Sequence, residues 1–323
     1  MLTVDKYIYK VYEEGGFSAA AKALFVSQPA LSMAISRHEE SIGFKIFDRS
    51  VVPVALTPQG KVYIEYLDES IYSERNMRMR IENLGNMKYG SLNIGAYSYS
   101  AYQLLPAVIS DFMAEYPEAR ICLDMGSMGS VENLKEKLDK HIIDIMLDYK
   151  YDPSKHNVVP IVRERMIIAM SRELPGSEKL LPYSVSRQDL LSRDYENLPV
   201  LSDLSLLRDI PFCHHSAFSS TSSKLKEILG EYKKSRCIIE NARQVYMHYS
   251  LMRCGIAADM TSDFHISEWD DDLIYIIPDT DRAYRTLYMI FSKAGPENPM
   301  VEIFTRLTKE KYSAWNSVSD ENI

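Results

Sequence analysis

The chain has 323 residues, of which 46% are hydrophobic and 25% are charged, and its formal net charge is −8. This length exceeds one ordinary domain, and this composition excludes disordered, collagen-like and disulfide-stapled small proteins. No apolar run reaches the roughly 18 to 20 residues of a membrane-spanning helix, and the N-terminus does not have the pattern of a signal peptide. We therefore expect a two-domain cytoplasmic protein whose four scattered cysteines are reduced.

The first sixty residues are nearly neutral, whereas the acidic excess lies further along the chain, which suggests two parts with different tasks. Apolar residues at helical spacing predict a helix over 4–14, which a pair of glycines ends. Ser18 is the predicted N-cap of a second helix over 19–24. Ser27 is the predicted N-cap of a third helix, which has Pro29 in its first turn and runs to Gly43. Two helices joined by about three or four residues predict a helix-turn-helix.

Two short strands at 44–49 and 54–56 predict a wing, and Thr57-Pro58 predicts the start of a long helix over 59–88. Thirty helical residues would span about 45 Å. Such a helix outside a domain core needs a partner for its apolar stripe, so we expect a homodimer along it. The alternative, a long core helix, is disfavoured by the short domain before it. The predicted dimer contacts are Val62, Tyr66, Ile71, Ile81 and Leu84.

From residue 89 the pattern changes to strands alternating with helices, which predicts an α/β domain with a largely parallel sheet. The stretch between residues 170 and 211 has no readable pattern. Strands are predicted near 92–96, 121–125, 142–147, 166–170, 210–213, 237–239, 273–277 and 287–291. Helices are predicted near 104–116, 131–138, 223–232 and 245–254.

The N-terminal motif resembles that of the LysR-type transcriptional regulators. The matching residues are Gly15, Phe17-Ser18, Ala20-Ala21, Leu24, Ser27-Gln28-Pro29-Ala30-Leu31-Ser32, Ile35, Glu39-Glu40, Gly43, Phe47, Arg49, Leu56-Thr57 and Gly60. The resemblance continues more weakly through 90–95, 104–106, 116–117, 143–145 and 255–257.

The resemblance implies a mostly α-helical, winged helix-turn-helix domain over 1–58, a linker helix over 59–88, and a two-lobed α/β effector domain over 89–312. The effector domain would be similar to periplasmic binding proteins. Its first lobe would take 89–162 and 268–312, its second lobe 163–267, and a C-terminal tail would follow over 313–323.

The resemblance also implies a regulator that binds double-stranded DNA and a small-molecule effector, and that assembles as a homodimer or homotetramer. RNA polymerase would be a partner of an activator, and no membrane partner is expected. No catalytic motif such as GxSxG, HExxH or a phosphate-binding loop occurs, so we do not expect an enzyme. The alternative is a solute-binding or ligand-sequestering protein with a vestigial DNA-binding head.

A helix that begins after Ser27 can enter the major groove by its N-terminal end. There, Gln28 can pair bidentately with adenine, and Ala30 can contact a thymine methyl. Met33 and His38 depart from the family pattern; Met33 removes a phosphate or guanine contact, and His38 is interpreted as a packing residue. The predicted DNA-binding residues are Ser18, Ser27, Gln28, Pro29, Ala30, Ser32, Met33, Ser36, Arg37 and Arg49.

Ligands of two-lobed α/β domains bind in the crevice at the carboxyl ends of strands. Hydroxyls ahead of helix N-termini suit a carboxylate there, although a serine such as Ser130 could equally be only an N-cap. Because these turns hold no Arg or Lys, we expect a small aromatic or partly apolar acid. The predicted effector-binding residues are Tyr97, Ser98, Tyr99, Ser100, Ser127, Met128, Ser130, His214 and Phe218.

Three consecutive residues, Cys213, His214 and His215, could suggest a metal site or a thiol sensor. Neighbouring residues of a strand point to opposite faces, which is poor geometry for one ion. The next cysteine, Cys237, is distant in the sequence, so redox sensing is also disfavoured. We expect no metal and no cofactor.

Overall fold

The computed structural model describes residues 3–51, 53–85, 90–96, 99–125, 131–213, 219–230, 237–239, 245–266, 272–293 and 298–316. The chain divides into two compact units. One contains residues 1–90 with 140–142, and the other contains 91–139 with 143–323. No helix within the described ranges is long and apolar enough to cross a membrane.

The first unit is a winged helix-turn-helix followed by a long helix, as predicted. Its elements are α1 (Thr3–Glu14), α2 (Phe17–Ala23), α3 (Gln28–Ile42), β1 (Phe47–Asp48), β2 (Ala55–Leu56) and α4 (Pro58–Gly85). The two wing strands pair antiparallel. One prediction was wrong: Gly16, not Ser18, is the N-cap of α2. The helix starts earlier because Phe17 is buried and its ring packs edge-on against Phe47 at 5.5 Å.

The wing and α4 are joined at Thr57. The Thr57 hydroxyl donates to the Lys45 carbonyl oxygen at 2.6 Å and accepts from the Gly60 amide at 2.9 Å. Gly60 is required because a Cβ atom there would overlap the Ile46 carbonyl oxygen. The close approach of α4 to the wing therefore depends on the absence of a side chain at Gly60.

The second unit holds strands β3–β12 and helices α5–α11. Its strands are β3 (Ser91–Ala96), β4 (Arg120–Asp124), β5 (Ile145–Asp148), β6 (His156–Ser171), β7 (Ser184–Val185), β8 (Phe212–Cys213), β9 (Cys237–Ile239), β10 (Asp259–Ser262), β11 (Leu273–Ile276) and β12 (Tyr284–Ser292). Its helices are α5 (Tyr99–Glu115), α6 (Val131–Asp139), α7 (Arg187–Ser192), α8 (Ser220–Leu229), α9 (Val245–Arg253), α10 (Pro299–Lys311) and α11 (Ser313–Asn316). The strand β10, the helix α10 and the first half of β6 were not predicted.

The main sheet has the strand order β4-β3-β5-β12-β6-β11-β7, and β10 also pairs with β6. Of the described pairs in this sheet, only β3–β4 and β3–β5 are parallel. The prediction of a largely parallel sheet was wrong, because β6 and β12 run in opposite directions where they pass between the lobes.

Each lobe has its own apolar core, and β6 contributes to both. Val162 lies in the first core with Phe112 and Phe304, whereas Ile168 lies in the second core with Ile274. Strand β11 pairs with the second half of β6 and therefore belongs to the second lobe. The predicted lobe boundary after residue 267 was too early, because the chain returns to the first lobe only between β11 and β12.

Candidate functional site

The N-terminal end of α3 is exposed, while its next turns are anchored in the core of the head. The Ser27 hydroxyl oxygen accepts from the Ala30 amide at 3.4 Å, which confirms Ser27 as the N-cap. Gln28 and Ala30 are exposed, whereas Leu31 and Ile35 are completely buried. The first turn of α3 therefore presents a side-chain amide and a small apolar group to solvent.

Most of the predicted DNA-binding side chains of α3 occupy one side of the helix, whereas Ala30 and Arg37 lie outside it. At 100° per residue, Gln28, Pro29, Ser32, Met33 and Ser36 fall within about 140° of its circumference. Met33 and Arg37 are exposed, and Ser32 and Ser36 are half-buried. Ser18 is exposed on α2.

Arg49 joins the wing to α3. Its guanidinium donates to the hydroxyls of Ser32 and Ser36, each at 3.0 Å, and its Cζ lies 4.5 Å from the centre of the Phe17 ring. It also forms an ion pair with Glu39 at 3.4 Å. Arg49 was expected to contact DNA, and the structure shows that its charge is held in place by α3.

Glu39 supports the exposed side of α3 from the core, although it was not among the predicted DNA-binding residues. Its buried carboxylate accepts from the Ile46 amide at 2.8 Å and the Phe47 amide at 3.2 Å, and it pairs with Lys45 at 3.2 Å and with Arg49. The signal was its spacing, because Leu31, Ile35 and Glu39 repeat every four residues on the buried side of α3. A carboxylate at a core position indicates that donors converge on it.

His38 is a packing residue, as interpreted from the sequence. Its Nε2 lies 2.6 Å from the Tyr63 hydroxyl, which donates to the Asp5 carboxylate at 2.9 Å. Burial, followed by Asp5, raises the pKa of Tyr63. This chain of polar contacts connects α3, α4 and α1.

The predicted effector-binding residues lie mostly outside the described residues. These are Tyr97, Ser98, Ser127, Met128, Ser130, His214 and Phe218. Tyr99 and Ser100 are described only as the first residues of α5. The structure does describe the residues between the two lobes that follow β5 and begin α8.

Arg285 connects the two lobes at this crevice. From β12 its Nε donates to the Glu164 carboxylate of β6 at 2.8 Å, and its Nη1 donates to the hydroxyls of Ser220 at 3.0 Å and Thr221 at 3.2 Å. Ser220 and Thr221 are the first residues of α8 in the second lobe. Tyr149, which follows β5 in the first lobe, donates to Glu164 at 3.0 Å, and its ring lies 4.0 Å from the Arg285 guanidinium.

The Arg285–Glu164 pair is buried, and each charge compensates the other. Burial by itself lowers the pKa of Arg285, but Glu164 and Tyr149 outweigh it and the net pKa is raised. Neither residue was among the predicted effector-binding residues, because both lie within strands rather than in the turns that follow strands. A charged residue inside an apolar run, such as Glu164 in β6, was the available signal.

Cys213, for which a sensor role was disfavoured from the sequence, is buried at the end of β8. Its neighbours His214 and His215 lie outside the described residues. Cys237 is the first residue of β9, whose backbone is in register with Phe212 rather than with Cys213.

Two family models match the chain and together cover most of it. The model described as "Bacterial regulatory helix-turn-helix protein, lysR family" matches residues 6–61, and the "LysR substrate binding domain" matches residues 86–313. The HTH-type transcriptional regulator YcgK of Bacillus subtilis is 22% identical over 96% of this chain and 94% of its own length.

Other matches have the same character. The SDS degradation transcriptional activation protein of a Pseudomonas species is 29% identical, over 43% of this chain and 46% of its own length. The crystal structure of full-length CbnR complexed with its target DNA superposes with a TM-score of 0.63 at 19% identity, over 95% of this chain and 98% of that chain.

We predict that Glu39→Gln loosens the wing. Glutamine keeps one acceptor oxygen but places an amide where Lys45 and Arg49 now donate. The loss of a buried charged acceptor is worth about 1 to 3 kcal/mol. Amide exchange at Ile46 and Phe47, followed by mass spectrometry, should become roughly 5- to 150-fold faster. Glu40→Gln, an exposed neighbour, is the control; equal exchange in both variants would contradict the assigned role of Glu39.

Proposed function

Because the chain belongs to the LysR family of bacterial transcriptional regulators, we propose that it reads DNA through the first turn of α3 as a homodimer or homotetramer and that a small acid between its lobes controls that binding. It is a helix-turn-helix regulator with an effector-binding domain. We place its activity in the cytoplasm, where the DNA lies. RNA polymerase is a further partner if the regulator activates transcription.

The observation that carries the DNA-binding mode is the exposed start of α3. The helix dipole makes the start of α3 partly positive, which attracts phosphate, and Gln28 has the bidentate geometry that suits adenine. Arg37 is exposed two turns further along and suits a phosphate, which carries no sequence information. Ser32 and Ser36 act indirectly in this proposal, because they hold Arg49.

Gln28→Ala should lower specific binding by about 1 to 3 kcal/mol because it removes a base contact. Arg37→Ala should instead weaken specific and random duplexes alike and reduce the salt slope by about one. Fluorescence anisotropy separates the two effects when the dissociation constants are measured over a range of salt concentrations. The two duplexes compared are the DNA upstream of the protein's own gene and a duplex of random sequence. Ser41→Ala, exposed in the last turn of α3, is the control. Unchanged operator affinity of Gln28→Ala would place the reading residues elsewhere.

The dimer is proposed from the unpaired apolar side of α4. Val62, Tyr66, Met77 and Ile81 are 64%, 55%, 52% and 59% exposed. At 100° per residue they fall within about 100° of the helix circumference. Ile71 is half-buried and lies about 180° from Val62, and the side chain of Leu84 lies outside the described residues. An apolar stripe of this kind on a long helix needs a second helix to cover it.

Tyr66→Glu should separate the dimer into monomers of 37.1 kDa. Burial of a large side chain contributes about 1.5 to 3 kcal/mol, and a buried unpaired carboxylate adds to the loss. Sedimentation velocity at micromolar concentration should therefore show weaker association, with DNA affinity reduced in parallel. Lys61→Glu, exposed on the other side of α4, is the control for added negative charge. A wild-type chain that sediments as a monomer would refute the proposal.

Control by an effector is proposed from the contacts of Arg285. This side chain binds Glu164 on a strand that serves both lobes, and it reaches Ser220 and Thr221 only if the second lobe is close. A ligand that favours the closed arrangement changes the free energy of DNA binding, and DNA must change ligand affinity by the same factor. Because Glu164 already compensates the charge of the Arg285 guanidinium, this part of the crevice suits a partly apolar monocarboxylate better than a polyanion.

Thr221→Val should weaken effector binding because closure then lacks one charge-assisted hydrogen bond, worth about 1.5 to 3 kcal/mol. Thermal-shift screening of partly apolar monocarboxylates on the full chain would identify a ligand. Its dissociation constant should rise roughly 10- to 100-fold in Thr221→Val. Ser223→Ala, exposed on the same helix, should bind as the wild type does. If the ligand has the same dissociation constant for Thr221→Val and Ser223→Ala, the contacts of Arg285 do not contribute to effector binding.

A further inference from the structure

The opposite face of the β6–β12 ladder carries a second group of arginines. In this ladder Arg285 pairs with Glu164, whereas Tyr284 pairs with Arg165 and Thr286 pairs with Arg163. Side chains alternate between faces along a strand, so Arg165 and Tyr284 point away from the Arg285–Glu164 pair. We call Arg165, Arg193, Tyr195, Tyr284 and Trp315 the rear site.

The two guanidiniums of the rear site lie against aromatic rings. Arg165 is 5.1 Å from the centre of the Tyr195 ring and 5.3 Å from that of Tyr284. Arg193 is 3.9 Å from the centre of the Trp315 ring and donates to the Ala314 carbonyl oxygen at 2.5 Å. Trp315 also packs at right angles to Phe264, with 4.8 Å between the ring centres.

Both arginines keep a buried donor without an acceptor. The Nε atoms of Arg165 and Arg193 are buried, and neither has a hydrogen-bond partner in the part of the chain that the structure describes. A buried donor without a partner is costly and calls for an explanation in a native protein. Two such donors on neighbouring cations indicate a place for an anion.

The nearby carboxylate does not satisfy these arginines. Asp263 accepts from the Tyr195 hydroxyl at 2.6 Å and from the Arg165 backbone amide at 2.9 Å, so both oxygens face other donors than the guanidiniums. Burial, opposed by the hydrogen bonds from Tyr195 and Arg165, raises the pKa of Asp263 to about 6. The Arg163 guanidinium also lies on this face, 4.8 Å from the centre of the Tyr284 ring, so the face is positively charged and suits a carboxylate.

The backbone of Arg193 gives independent support. This residue ends α7 in the left-handed conformation, with a φ of 58°, where glycine or asparagine is usual. An arginine at such a position costs conformational free energy, which indicates that its side chain has a use. The use proposed here is to present the guanidinium beside Trp315.

We propose that the rear site binds a small aromatic monocarboxylate, separately from the crevice that holds the proposed effector. A planar guanidinium binds a carboxylate through paired hydrogen bonds, and the rings of Tyr195, Tyr284 and Trp315 beside the guanidiniums suit the aromatic part of the ligand. The site takes residues from the β6–β12 ladder, from the end of α7 in the second lobe and from the C-terminal segment. A ligand bound there would therefore contact residues of both lobes, on the face of the ladder opposite the Arg285–Glu164 pair.

Trp315 provides a direct readout of the rear site. The sequence has two tryptophans, so a full-length Trp269→Phe variant reports on Trp315 alone. This variant is titrated with phenylacetate, with the neutral phenylacetamide, and with acetate, which lacks the ring. We expect a saturable change of Trp315 fluorescence with phenylacetate, and at least a tenfold weaker response with each of the other two compounds.

Arg165→Gln in the same background should weaken the phenylacetate response at least tenfold, because it removes the charge but leaves the Arg193–Trp315 contact in place. Arg172→Gln, which removes an exposed arginine of the second lobe, should have no effect. Thr221→Val should also leave this response unchanged, which separates the rear site from the crevice. An equal response to phenylacetamide, an unaffected Arg165→Gln variant, or loss of the response only in Thr221→Val would each overturn the inference.

Discussion

The antiparallel pairing of β6 with β12 is the constraint on which the effector domain depends. These two strands cross from one lobe to the other, and their register places Glu164 opposite Arg285 and Arg165 opposite Tyr284. Because side chains alternate along a strand, consecutive charged residues of β6 serve opposite faces. One face holds a neutralised ion pair at the crevice, and the other holds Arg165 and Arg193, whose buried Nε atoms have no hydrogen-bond partner within the described residues.

The burial of charge differs between these two faces, and this difference gives them different chemistry. Arg285 has its charge compensated by Glu164, and its remaining donors reach hydroxyls of the second lobe. Such a network favours one arrangement of the lobes, since separation would leave buried donors unpaired. Arg165 and Arg193 instead lie against aromatic rings, which stabilises the cations but supplies no acceptor for their buried Nε–H groups.

The helix-turn-helix domain also contains a buried charged residue, Glu39, and this residue holds the wing in place against α3. The Glu39 side chain is completely buried. Its carboxylate accepts hydrogen bonds from two backbone amides of the wing and forms ion pairs with Lys45 and Arg49. It fixes the wing against α3, and Arg49 then lies along the hydroxyls of Ser32 and Ser36. The exposed start of α3 is therefore presented by a frame that does not depend on DNA. Preorganisation of this kind lowers the entropic cost of binding.

The sequence by itself determined the elements whose signals are local. Helical periodicity, the Ser27 cap, Pro29 in the first turn and Gly43 after α3 defined the helix-turn-helix, because these features act within a few residues of the chain. The family motif lies in the same local segment, so the regulator class was also readable. Only the tertiary structure decided the direction of the strands, the return of the chain between β11 and β12, and the partners of Glu39, Arg49 and Arg285. Each of these depends on residues distant in sequence, such as Glu164 and Arg285, whose contact arises from strand register rather than from any local pattern.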